Sequence, residues 1–201
     1  IGVVKMGTGT WAQGGSANNA GTGALTVREG TVELAKTGTG VALAVAPIIG
    51  DFAGTDTVTY TGTSTDMIGN VTVTINHGAV LNIISASDSI GGLTMTGGTI
   101  DIGASRILTL ATGSAMTYNA GGAALIQGDG TLALGANRTL TVNDGVTEAD
   151  LTISTLVTGS GNTTKAGGGE LILSGNNTGL TGTVVANLGV LGLGQDNAIG
   201  N

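Results

Sequence analysis

A five-residue unit, Gly-x-apolar-x-apolar, recurs along the whole chain, and its spacing limits the possible folds more than any other feature. The unit reads Gly9-Thr-Trp11-Ala-Gln13, Gly30-Thr-Val32-Glu-Leu34, Gly98-Thr-Ile100-Asp-Ile102, Gly130-Thr-Leu132-Ala-Leu134, Gly169-Glu-Leu171-Ile-Leu173 and Gly189-Val-Leu191-Gly-Leu193, with Gly78-Ala-Val80-Leu-Asn82 a looser copy. Alternation with period two makes each a short strand with one inward face. A second set lies between them: Leu25-Thr-Val27, Val71-Thr-Val73-Thr-Ile75, Leu93-Thr-Met95, Leu108-Thr-Leu110, Leu140-Thr-Val142, Leu151-Thr-Ile153 and Val184-Val-Ala186, with Thr the usual outward residue. Three successive pairs of the leading glycines, Gly9 with Gly30, Gly78 with Gly98 and Gly169 with Gly189, are separated by about one coil of a parallel β-helix. The expected fold is all-β: a right-handed parallel β-helix, a solenoid, occupying 1–201 as one elongated domain. Coils of roughly 21 residues give about nine or ten turns and, at about 4.8 Å per stacked strand, a column roughly 45 Å long. No helix longer than one turn is expected.

Composition closes the alternatives. There are 39 Gly among 201 residues, one Pro, no Cys and four aromatics. Gly costs about 0.8–1.0 kcal/mol per helix-interior position relative to Ala, so a helical bundle is excluded. The glycines keep no three-residue period, so collagen is excluded too. With 40% apolar and only 9% charged residues, the chain has surface to bury and little charge to hold it open. A net charge of −7 argues against docking on nucleic acid or anionic lipid. The longest apolar run, Val41 to Ile49, carries Pro47 and falls short of the roughly 20 residues that span a bilayer, so no membrane insertion is expected. Absence of Cys removes disulfides and thiolate metal sites. The chain opens at Ile1 without Met, shows no cationic-then-apolar leader and stops at Gly200-Asn201 in mid-pattern, which reads as a segment of something longer.

Two stretches break the alternation. Residues 46–66 hold the only Pro, the only Phe and Asp51, Asp56 and Asp66, and are expected to be a loop insertion. Residues 143–150 place Asp144, Glu148 and Asp150 between two strands and read as a longer turn outside the core.

At two places the repeat lengthens into one phrase. Lys5-Met-Gly7-Thr-Gly9-Thr-Trp11 is followed by Gly15, Asn18, Asn19, Gly23-Ala-Leu25 and Gly30-Thr-Val32-Glu-Leu34. Lys165-Ala-Gly167-Gly-Gly169-Glu-Leu171 is followed by Gly175-Asn176-Asn177, Gly182-Thr-Val184 and Gly189-Val-Leu191-Gly-Leu193. The stretch from Lys165 to Gly200 resembles the passenger-associated transport repeat of bacterial autotransporters, and the early phrase from Lys5 to Leu34 resembles it as well. The early copy departs from the pattern by carrying Trp11 and Gln13 where the family has apolar strand residues. The resemblance implies a right-handed β-helical passenger of a Gram-negative surface protein, exported through a separate outer-membrane translocator barrel in the parent chain. It implies extracellular or outer-surface localisation, with adhesion to a host or cell-surface glycan or protein, or plain spacing, as the work. The repeat serves folding and secretion, so it transfers no catalytic residue.

Each chemistry-bearing residue also has a plainer role open to it. The only histidine, His77, would need Ser85, Ser87 or Ser89 and an acid to form a triad, and no nucleophile motif accompanies it. A corner histidine is expected. Asp51, Asp56 and Asp66 are the candidates for a carbohydrate-active β-helical lyase or hydrolase, the alternative function, since such enzymes pair acids about a glycosidic bond or around calcium. Solvated turn acids are expected instead. Gly159-Ser-Gly161-Asn-Thr-Thr-Lys165 lacks the helix that a phosphate loop requires. Thr57, Thr59, Thr61, Thr63, Thr65, Thr72, Thr74, Thr94, Thr96, Thr139 and Thr141 raise an ice-binding face, but their sequence spacing is irregular. Asn-x-Thr triplets at Asn70, Asn137, Asn162 and Asn176 carry little weight for a bacterial protein. Trp11, Tyr60 and Tyr118 could contact sugars if exposed. The expectation is therefore no catalytic, cofactor or metal site, a stiff stalk or fibre presenting binding surfaces, and end-to-end self-association through open sheet edges.

Overall fold

A computed structural model describes residues 2–19, 21 and 23–200, and over them the chain is a parallel β-solenoid with no helix. The alternating phrases become strands because Val, Ile, Leu and Thr fit a pleated, half-buried surface. One nine-stranded sheet stacks β1 (Val3–Lys5), β3 (Leu25–Val27), β5 (Ile48–Ile49), β7 (Thr72–Ile75), β10 (Gly92–Met95), β13 (Met116–Tyr118), β16 (Arg138–Val142), β19 (Thr163–Ala166) and β21 (Val184–Ala186) in that order. We call it the first sheet. The second, also nine-stranded, stacks β2 (Thr10–Gly15), β4 (Gly30–Lys36), β6 (Asp56–Tyr60), β8 (Ala79–Ile83), β11 (Gly98–Ile102), β14 (Ala124–Gln127), β17 (Leu151–Ile153), β20 (Glu170–Leu173) and β22 (Val190–Leu193). A third sheet of four strands, β9 (Asp88–Ile90), β12 (Ile107–Leu110), β15 (Thr131–Gly135) and β18 (Leu156–Gly159), closes the middle coils. Above and below it the third side is irregular, joined by single bridges at Leu43 with Ile68 and at Gly159 with Leu180.

The in-register column Thr10, Thr31, Thr57, Val80, Thr99, Leu125, Thr152, Ile172, Gly192 makes about eight turns. This is close to the nine or ten expected. The difference arises because three coils, from Thr31 to Thr57, from Thr99 to Leu125 and from Leu125 to Thr152, are longer than the one from Thr10 to Thr31. The 46–66 stretch is not wholly an insertion, since it supplies β5 to the first sheet and β6 to the second; its surplus residues form the 50–55 turn between them. Residues 143–150 do lie outside the strands, between β16 and β17.

Like stacks on like inside the column. Val32, Val58, Leu81, Ile100, Ile126, Ile153 and Leu173 follow one another along the second sheet, and Val27, Ile49, Ile75, Met95, Tyr118 and Val142 along the first. All of them are buried. At roughly 1.5–3 kcal/mol for each fully buried aliphatic side chain, these stacks are the main favourable contribution to folding. Trp11 packs partly buried over Val32, and Gln13, above Leu34, accepts a hydrogen bond from Asn19 Nδ2 at 3.0 Å.

Candidate functional site

The two long phrases fold into the same device. Lys5 Nζ donates to the carbonyls of Met6 (3.1 Å), Gly7 and, in the next coil, Glu29 (2.8 Å). Lys165 Nζ donates to Ala166 O (3.1 Å), Gly167 O (2.6 Å) and, in the next coil, Leu188 O (2.7 Å). Each lysine thus ties the corner between the first and second sheets to the same corner one coil on. The glycine opening the next strand is dictated by the same contact. Gly30 and Gly189 have φ of 80° and 74°, and a Cβ there would collide with the lysine-bound carbonyls of Gly7 and Gly167 respectively, and with those of Gly9 and Gly169. The asparagines repeat as well: Asn19 Nδ2 donates to Ala42 O at 2.9 Å, and Asn177 Nδ2 to Ala198 O at 2.6 Å. Burial lowers the Lys165 pKa, and the nearby Asp150 opposes that shift.

Buried polar groups also close the ends of the third sheet. Asp88, 4% exposed, heads its inward column above Leu108, Leu132 and Val157. It accepts from Tyr60 Oη at 2.6 Å and from the N–H groups of Ile68 and Ser89, each at 2.9 Å. Burial raises its pKa to about 6 despite those three donors. Burial, and then the Asp88 charge, push Tyr60 well above an ordinary phenol. At the other end Asn177 Oδ1 accepts from Val157 N at 2.7 Å. Between them Arg138, 4% exposed, is held by carbonyls alone: Leu110 (3.0 Å), Ala111 (3.1 Å), Leu134 (2.7 Å) and Ser114. Neither Asp88 nor Arg138 stands out in the sequence. Their only signal there is a charge at an inward register position, visible once the register is known.

The candidate acids do not converge. Asp51 is exposed in the turn before β6, and Asp56 opens that strand facing inward between Gly30 and Ala79. Asp56 is fully buried, and neither carboxylate oxygen has a hydrogen-bond partner. Burial raises its pKa; the Asp51 backbone lowers it, and the Asp51 and Glu29 carboxylates raise it further. Asp66 lies beyond the far end of β6, beside the Tyr60–Asp88 pair. A five-residue strand spans about 16 Å. Among the described residues no three His, Asp or Glu are grouped to hold a metal ion.

His77 is exposed at the corner before β8, whereas Ser85, Ser87 and Ser89 follow that strand. Ser85 Oγ donates to Gly62 O at 2.7 Å and Ser87 Oγ accepts from Ile107 N at 2.9 Å, so both serve coil stacking. Gly159 to Lys165 runs from β18 straight into β19. Tyr60 and Tyr118 are buried, and the sequon residues Asn70, Asn137, Asn162 and Asn176 are exposed. The threonines are more regular than their sequence spacing indicates: Thr26, Thr74, Thr94, Thr117 and Thr141 share one outward line of the first sheet, broken by Ile48. Coil-length differences are absorbed in the turns, so the strands stay aligned. Two residues earlier in those strands stand Thr72, Gly92, Ala115 and Thr139, so no second continuous threonine line runs beside the first.

One concave surface emerges at the corner that carries His77. The 50–55 turn and the 143–150 loop project there and bracket an open apolar groove of about 500 Å³ lined by Phe52, His77, Gly121, Gly122, Ala123, Val146 and Thr147. Phe52 is 61% and Val146 90% exposed. Hydrogen bonds from two buried side chains, Tyr118 and Asp150, and one exposed one, Asp51, hold the groove. Tyr118 Oη donates to Gly122 O at 3.0 Å and accepts from Gly121 N at 3.1 Å. Asp150 Oδ1 accepts from Gly145 N at 2.8 Å, and Asp51 Oδ1 from Ala53 N at 3.2 Å. The imidazole of His77 lies so close over Gly122 that a Cβ there would collide with Nδ1. The sequence pointed to both loops by their broken alternation, but not to their meeting across three intervening coil corners. No family model, curated protein or solved structure matches the chain.

Proposed function

We propose that the chain is a structural and adhesive segment of an autotransporter-like β-helical protein, a stiff stalk or fibre that holds binding surfaces away from a Gram-negative cell. The observation that supports this reading most directly is the duplicated corner lock. The lysine, glycine and asparagine positions on which the resemblance to the passenger-associated transport repeat rests are the ones that bind coil to coil. A repeat in such a role serves folding and stiffness, in keeping with passage through a pore before folding. Backbone groups pair between neighbouring coils, so load along the column is shared by many parallel hydrogen bonds. Lysine clamps supply cross-links in a chain that has no Cys.

The test is peptide mapping of the C-terminal region of the full-length parent, together with protease treatment of intact cells that produce it. A terminal set of alternating strands suited to an outer-membrane barrel, with cleavage of this segment on intact cells, is the expected result. A terminus of further coils, or a sorting or phage-like assembly module, moves the function to a fibre or sheath and overturns the passenger reading.

A further inference from the structure

We propose that the groove between the 50–55 turn and the 143–150 loop docks an apolar side chain of an extended peptide segment flanked by Lys or Arg. This inference depends on the groove alone and not on display at a cell surface.

Two features mark the groove as more than a crevice. Among the described residues Phe52 is the only large aromatic ring set out on a turn, and its φ of 72° lies in the left-handed region, a conformation that costs a non-glycine residue energy. A phenylalanine held there with most of its surface in water brings the folded chain little burial in return. Val146, opposite, is nearly fully exposed at the tip of its own loop. The 143–150 loop is held from below by Asp150, the floor by Tyr118, and the 50–55 turn by the local hydrogen bond from Ala53 N–H to Asp51.

The chemistry of the rim selects the occupant. Asp51 adjoins Phe52, and Asp144 and Glu148 flank Val146 and Thr147; all three acids are exposed. Neither loop, nor the 119–123 segment of the floor, contains a Lys or Arg. An apolar floor within an acidic rim is complementary to an apolar residue between cations. A glycan would need several inward-aimed hydrogen-bonding side chains, and the lining offers only His77 and Thr147. A second copy of this chain, with net charge −7, would meet the same acidic rim with like charge.

The test is an amide NMR titration of the whole chain with the blocked peptide Lys-Leu-Lys-Phe-Lys, with Glu-Leu-Glu-Phe-Glu and with maltotriose as comparators. The basic peptide is expected to shift Gly121, Gly122, Val146 and Thr147, to bind at least tenfold more tightly than the acidic one, and to weaken as salt rises. Val146→Ser and Phe52→Gly should each remove the shifts, while Phe52→Gly, which relieves the backbone, leaves the melting temperature unchanged or higher. Asp144→Asn combined with Glu148→Gln should weaken binding several-fold with the remaining spectrum intact. Equal response to both peptides, shifts elsewhere only, the same resonances moving with maltotriose instead, or no response to the basic peptide would each overturn the proposal.

Discussion

At the residue scale the two lysines are the most informative positions, because a buried ammonium that serves three carbonyls cannot be replaced by a hydrocarbon without orphaning them. Lys165 is 1% exposed whereas Lys5 is half-buried. Lys165→Met is therefore expected to destabilise the column by about 2–4 kcal/mol and Lys5→Met by about 1 kcal/mol, in the range for lost buried hydrogen bonds and partly solvated ones; urea unfolding of both variants checks the order. Gly189→Ala places a methyl against Gly169 O at a positive φ, and a loss above about 2 kcal/mol is expected. Gly9→Ala, where a Cβ meets nothing within 4 Å, is the neutral control. Asp56 gives the opposite sign. Its carboxylate is buried without a partner between two small residues, so Asp56→Ala should raise the melting temperature at pH 7. A lower melting temperature would show that the carboxylate has a partner in solution.

At the scale of the element, the third sheet is the one whose limits are set by side chains. Its parallel ladder stops where the neighbouring coil has no strand to offer, and Asp88 and Asn177 supply the missing acceptors for Ile68 and Val157. Asp88 titrates higher in the fold, at about 6, than the usual 3.8. The folded state therefore binds its proton more tightly. The corresponding stability is fully present below about pH 4 and is lost as pH rises through 6, a fall of order 2–3 kcal/mol at about 1.36 kcal/mol per unit. Urea midpoints measured from pH 4 to 7 should fall across that window. Asp88→Asn, whose single amide oxygen can still accept from Ile68 N–H in place of Oδ2, should remove most of the slope.

For the molecule as a whole, nine stacked strands at about 4.8 Å give a column roughly 40 Å long, to be compared with the length from small-angle scattering. Among the described residues β1 and β2 stand at one end of the two long sheets and β21 and β22 at the other, each paired on one side. Val3, Val4 and Met6 are exposed at one end, and Val185, Leu188, Val190 and Leu193 at the other. Parallel strands of matching spacing favour head-to-tail stacking. Sedimentation should show mass rising with concentration, and Val190→Lys with Val185→Lys should suppress it. A monomer at all concentrations would remove end-to-end association from the reading.

Period-two alternation, Gly-led corners and the recurrence of those glycines at one coil's length determined the all-β solenoid from the sequence alone, because they are local consequences of strand geometry repeated coil after coil. The same holds for the lysines at Lys5 and Lys165, whose place in a repeated phrase marked them before their carbonyl partners were visible. Coil number, the Thr26 to Thr141 line, the inward charges of Asp56, Asp88 and Arg138, and the groove between Phe52 and Val146 were decided only by the tertiary structure. Each depends on which residues share a register across coils of unequal length, and that register is set by the stacking of the whole column rather than by any segment of it.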